Sequence, residues 1–159
     1  MTSYERNANR LTVFLLVLLA GLAVFGVIRL SGPIPIHFNG KGEANRWGSP
    51  STLLVLAFVG GSVVALLWLI RSTPTELMNF PGPRTPTNIA QQRQNFDQLL
   101  ATVRVIVAGL FLAIISQIIW VSSYHLNRVS LWPSFLFISL IFLSVLVSLI
   151  RGYQLSAGR

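Results

Sequence analysis

The sequence predicts an all-α integral membrane protein with four transmembrane helices, and three observations predict it. Only 10% of the 159 residues are charged and 53% are hydrophobic, whereas a soluble domain carries about 25% charged residues to meet water. Four long runs contain no Asp, Glu, Lys or Arg. The twelve Lys+Arg, which set a formal net charge of +8, flank those runs instead of gathering on one face, the pattern of a membrane topology signal. Nucleic acid is therefore not an expected partner, because it would call for one basic face. The lipid bilayer is.

The apolar runs are Leu11–Ile28, Thr52–Ile70, Val105–Val121 and Leu131–Ile150, of 18, 19, 17 and 20 residues. At ~1.5 Å per residue they reach roughly 25–30 Å, enough for the hydrocarbon core of a bilayer. Backbone groups in hydrocarbon must bond within their own segment, so each run is read as a helix despite its β-branched residues. With flanking turns the spans are 11–30, 51–71, 103–122 and 131–150, in a single membrane domain of residues 1–159.

The first span follows Arg6 and Arg10, as in a secretory leader. Its apolar core exceeds the usual ~7–15 residues, and no small-x-small cleavage site closes it at "VIRLSG", so an uncleaved signal anchor is expected. The loop after it, Ile34–Ser49, holds the only lysine and one of the two histidines. Pro33 and Pro35 force an extended entry. Asn39-Gly40 and Lys41-Gly42 tolerate positive φ, so the chain should reverse there and pair Ile36–Phe38 with Ala44–Arg46 as a hairpin. Trp47 sits at the depth of an aromatic belt. Ser49 is expected as N-cap of the second helix and Pro50 as its first residue.

In the second span, Ala57, Gly61 and Ala65 recur at i, i+4 and i+8, a ridge of small residues that admits a close helix. Residues 72–102 should form a proline-rich loop followed by an amphipathic helix. Pro74, Pro81, Pro83 and Pro86 prevent a continuous helix, whereas Ile89, Phe96, Leu99, Leu100 and Val103 recur at helical spacing after a cap at Thr87 or Asn88. Arg93 and Asp97, one turn apart, can pair, and Arg104 can snorkel to headgroups, all three at a solvated helix end. In the third span Gly109, Ala113 and Gln117 share a face. In the fourth, Ser144 and Ser148 should bond back to their own helix.

Orientation follows from the basic residues. Arg6, Arg10, Arg71, Arg84, Arg93, Arg104, Arg151 and Arg159 flank one side, and Arg29, Lys41, Arg46 and Arg128 the other, eight against four. Both termini are thus expected in the cytoplasm, with the Ile34–Ser49 loop as a short ordered extracytoplasmic element.

Little of this composition suggests catalysis. There is no cysteine, hence no disulfide, thiolate metal site or cysteine nucleophile. The apolar runs hold no ionisable group, which a proton-coupled transporter needs. Glu43 is the only acid on the outer side, so no carboxylate pair forms there, and neither a HExxH nor a G-x-S-x-G motif occurs. One constellation remains for a divalent metal, His37, His125 and Glu43. It supports a rival reading, a metal-dependent membrane enzyme or small transporter subunit; otherwise no metal and no cofactor is expected.

The order Pro35-x-His37-Phe38, then Gly42, then Arg46-Trp47-Gly48-Ser49, between two transmembrane helices, resembles a bacterial membrane domain of unknown function found in the N-terminal part of Sdp-type toxin-immunity proteins. The resemblance covers residues 24–70, and Asn79-Phe80-Pro81 resembles the N-x-P that follows in those proteins. Asn45 and Pro50 depart from the family's usual Asp and Lys, and the immunity proteins are longer. The resemblance implies a fold and a bacterial cell-membrane location, with toxin immunity as one function. The expected protein is non-enzymatic: it senses or binds an extracytoplasmic peptide through His37, Arg46 and Trp47, and meets a cytoplasmic regulator or a second copy through its inner loop. An accessory subunit packed through the Ala57–Gly61–Ala65 ridge is a third reading.

Overall fold

In a computed structural model, which describes residues 1–157, the chain folds as α1 (Ser3–Arg29), a hairpin of β1 (Ile34–Phe38) and β2 (Ala44–Gly48), α2 (Thr52–Arg71), a 3₁₀ turn (Thr75–Leu77), α3 (Ile89–Ser123) and α4 (Trp132–Ser156). Arg159, counted among the basic residues above, lies outside the described residues. All four helices are long and apolar enough to cross a membrane, the architecture of a multi-pass membrane protein. The hairpin and the α3–α4 loop share one end of the bundle, and the two termini and the α2–α3 loop share the other.

Helix α1 starts eight residues before the expected span. Thr2 Oγ1 accepts the Glu5 N–H at 3.2 Å while the Glu5 carboxylate accepts the Thr2 N–H, a reciprocal capping box that satisfies two backbone donors otherwise left open at a helix start. α2 starts slightly later than expected: Ser49 Oγ accepts the Ser51 N–H instead of capping directly, and Pro50 occupies the turn before Thr52. The amphipathic segment and the third span form one unbroken helix of 35 residues.

Helix α3 is the spine, packed on the other three. Toward the hairpin, Leu19 and Ala23 of α1, Ile34 of β1, Leu53 of α2 and Ile115 and Ile118 of α3 close one core; Val64, Val107 and Ala108 close a second toward the termini. Large apolar side chains such as Phe14, Phe25, Phe58 and Phe142 point outward. Between helices in lipid, close packing replaces the hydrophobic drive of water, and glycines mark the contacts. A Cβ on Gly26 would meet Leu53 Cδ1 at 2.5 Å, one on Gly60 would meet the Phe111 ring at 2.7 Å, and one on Gly109 the Phe137 ring at 2.9 Å.

The expected ridge needs correction. Ala57 faces the core, but Gly61 has nothing within 4 Å and Ala65 is exposed. The close approach falls one residue earlier, at Gly60, on the face of Leu53 and Val64. A helix turns about 100° per residue, so a one-residue offset moves the contact to another side, and a Gly-Gly pair does not announce which member faces inward.

The α2–α3 loop is folded back under the bundle. Met78 is buried, Pro81 packs on Gly152, and Gly82, at φ +77°, lies against Ser156. Gln92 Nε2 donates to the Pro81 carbonyl at 3.2 Å and to the Gly152 carbonyl at 2.8 Å. Asn88 does not cap α3 through its side chain; its amide instead accepts from the Thr85 N–H and donates to the Pro83 carbonyl, holding the proline segment in place. Ser144 bonds to its own helix at the Ile141 carbonyl, as expected, whereas Ser148 receives the Asn95 side-chain amide of α3.

Candidate functional site

The hairpin pairs antiparallel, Ile34 with Gly48, Pro35 with Trp47, His37 with Arg46 and Phe38 with Ala44, with irregular register around His37. Pro35 has no N–H for a ladder bond, which a two-stranded ribbon tolerates. Ile34 and Pro35 are buried, and Phe38 leans on the α1–α3 core. A Cβ on Gly48 would stand 2.9 Å from the Ile36 side chain across the strand.

The turn is built around Asn39. Its Oδ1 accepts the N–H groups of Lys41 (2.9 Å) and Glu43 (3.0 Å), its Nδ2 donates to the Glu43 carboxylate, and its carbonyl accepts the Gly42 N–H. The reversal lies where the residues predict it. The left-handed position is Gly42, at φ +80°.

The sequence offers no sign of what braces this tip. Residues 127–129 of the α3–α4 loop run alongside it: the Ala44 N–H donates to the Asn127 carbonyl at 2.8 Å, the Val129 N–H to the Gly42 carbonyl at 2.9 Å, and Arg128 Nε to the Lys41 carbonyl at 2.9 Å. Between Lys41, Arg128, Trp132 and Phe135 lies a cavity of about 350 Å³.

The predicted site residues therefore divide into two sets. Pro35, Phe38, Gly42 and Gly48 serve the fold. His37, Arg46 and Trp47 are exposed, Trp47 at 50%. His37 Nδ1 lies 2.6 Å from Asn45 Oδ1, within hydrogen-bond distance. Lys41, Arg46 and Arg128 make this end basic, and its one carboxylate, Glu43, is held by Asn39. His37, His125 and Glu43 are not assembled into a ligand set: among the described residues no three His, Cys, Asp or Glu stand close enough to hold a metal. His125 sits in the turn after α3 at φ +52°. Of the second motif, Pro81 packs on Gly152, while Asn79 is exposed.

At the opposite end Arg93, Asp97 and Arg104, expected at a solvated helix end, belong to a polar cluster with Glu5 and Arg71. Glu5, 3% exposed, accepts from Arg71 at 2.8 Å. Asp97 pairs with Arg93 at 3.2 Å and lies 3.9 Å from Arg71. Arg93 also donates to the Thr73 carbonyl at 2.7 Å and to the Arg71 carbonyl, tying the loop to α3. Arg104 is wholly buried, donates to Asn9 Oδ1 at 2.8 Å, and lies over the Trp68 ring at 5.3 Å. Its Nε and Nη1 have no partner among the described residues. It does not snorkel, because Leu100, Ala101, Val107 and Ala108, the positions three and four residues either side of it, are all buried and carry it to the same face. That periodicity was the available signal.

Residues 12–61 match a family described as a domain of unknown function (DUF1648). The matched segment runs from α1 through the hairpin into α2 and covers about a third of the chain. No curated protein and no solved structure matches the chain.

Proposed function

We propose that this is a non-enzymatic protein of the bacterial cell membrane that receives a peptide on the exposed face of its hairpin, as an immunity protein or an envelope sensor does. One observation carries the reading: on a hairpin braced from two sides, His37, Arg46 and Trp47 are left exposed. Arg46 offers a guanidinium to anionic groups, Trp47 a large rigid surface, and His37 an exposed imidazole. Arg and Trp are among the residue types enriched in binding hot spots. The preponderance of basic residues at the terminal end supports an orientation with both termini in the cytoplasm and the hairpin outside. The resemblance of the loop to that of Sdp-type immunity proteins supports a peptide ligand.

The test is a deletion strain challenged with a panel of secreted antimicrobial peptides. The wild-type gene should restore tolerance to at least one peptide, and a gene carrying Arg46→Ala and Trp47→Ala should not, at equal protein level. A deletion strain indistinguishable from its parent across the panel, under envelope stress included, overturns the reading.

A second reading, an accessory subunit of a larger membrane assembly, is favoured by the open space at Gly61 and the exposure of Ala65. Co-purification of a membrane partner in mild detergent, lost in Gly61→Leu, would select it.

A further inference from the structure

Helices α3 and α4 touch at two levels, through Gly109 and Phe137 and through the clasp of Gln92 and Asn95 with Gly152 and Ser148. Beside these contacts lies a cavity of about 500 Å³, within the range of roughly 300–1,000 Å³ that holds small ligands. Its wall is apolar along Ile106, Leu140, Leu143 and Val147, and Tyr4 bounds it through a 2.7 Å hydrogen bond to Thr102. A second cavity of about 270 Å³ shares Asn95, Gln98 and Arg151 with the first and adds Gln91, Gln94 and Gln154. The two form one site with a long apolar trough and a polar mouth.

The mouth has a definite chemistry. Asn95 is engaged by Ser148. The side chains of Gln91, Gln94, Gln98, Gln154 and Arg151 make no hydrogen bond among the described residues, and no carboxylate lines either cavity. Arg151 is the first charge after the apolar run that ends at Ile150, which sets it where hydrocarbon gives way to headgroups. A cation amid uncommitted amide donors, at headgroup depth, above a trough open along exposed Leu143, matches one class of molecule in charge and in shape.

We propose that this groove binds one anionic glycerophospholipid, its phosphodiester on Arg151 and the glutamine amides and one acyl chain along Leu140, Leu143 and Val147. The guanidinium and the amides form charge-assisted hydrogen bonds with the phosphate. The choice between headgroups comes from Arg151, which has no carboxylate beside it among the described residues lining the groove, because a zwitterionic lipid brings its own ammonium to the same mouth.

The full-length protein, equilibrated in detergent with equimolar phosphatidylglycerol and phosphatidylethanolamine, is analysed by native mass spectrometry. One phosphatidylglycerol should be retained with a preference of about five-fold, the ratio given by one favourable charge near a membrane surface. Arg151→Ala should bring the two lipids to parity, and Gln98→Glu, which adds a carboxylate to the mouth, should do the same without removing the cation. Arg84→Ala, at a cation lying over Phe80, should leave the preference intact. Equal retention of both lipids by the wild-type protein, the mark of lipid that merely coats the surface, overturns the proposal. So does a preference that survives both Arg151→Ala and Gln98→Glu, or a dimer that carries no lipid.

Discussion

The Gly42 carbonyl accepts the Val129 N–H at 2.9 Å, and a Cβ on Gly42 would stand 2.5 Å from the Val129 carbonyl oxygen. The two backbones meet this closely only because residue 42 lacks a side chain and sits at φ +80°. Gly42→Ala combines left-handed strain with a backbone collision, which no side-chain rotation relieves. It should lower stability by about 1–3 kcal/mol, seen as a reduced melting temperature of the detergent-purified protein. An unchanged melting temperature would show that the hairpin is not braced by the α3–α4 loop.

Arg46 and Trp47, by contrast, are exposed on the hairpin. Arg46→Ala and Trp47→Ala should each change stability by no more than about 0.5 kcal/mol, while abolishing whatever peptide tolerance the wild-type gene confers. A large loss of stability in either variant would mean that these side chains hold the fold.

Glu5 and Arg71 join the first turn of α1 to the last turn of α2 across 66 residues. Glu5→Gln leaves the half-buried Arg71 guanidinium poorly paired and should cost about 1–3 kcal/mol. Because Arg71 also nears Asp97, the coupling is best read from a double-mutant cycle with Arg71→Met. A coupling energy near zero contradicts a structural role for the pair.

Adjacent glycines of α2 should respond oppositely. Gly60→Leu drives a side chain into Phe111 and should cost about 1–3 kcal/mol through overpacking, whereas Gly61→Leu enters open space and should leave the isolated protein's melting temperature unchanged. Equal losses at both positions would mean that α2 is rotated from the orientation described.

Lys41 stands at the exposed tip of the hairpin, and the chain has no cysteine. Lys41→Cys should be labelled by a membrane-impermeant maleimide in intact cells. Protection there, with labelling after lysis, would reverse the proposed topology.

Much of the hairpin was legible in the sequence. Pro33, Pro35, Asn39 and Gly42 act through their own backbone preferences, so the extended entry and the reversal follow from local chemistry. The brace from residues 127–129 was not legible, because Asn127 and Val129 use backbone groups, which are the same in every sequence, and Arg128 Nε reaches a carbonyl, that of Lys41, 87 residues away. The metal constellation failed for a related reason: His37 and Glu43 find Asn45 and Asn39 within their own loop, and His125 lies in another. At the terminal end, Arg93 and Asp97 paired as their spacing predicts, but reading them as solvated neglected the α2–α3 loop that folds over them.

The sequence by itself determined that four helices long and apolar enough to cross a membrane would form, where the chain turns between the first two, and that no cysteine chemistry takes part. Those properties depend on composition and on interactions between near neighbours along the chain. Only the tertiary structure decided which of Gly60 and Gly61 meets α3, that Arg104 is buried over Trp68, that the proline loop docks on Gly152, and that α3 and α4 leave a groove with Arg151 at its mouth. Each of these depends on how helices rotate and tilt against one another, a sum of many weak contacts between residues far apart in sequence. A small change in that rotation moves a side chain from lipid to core without altering any local signal.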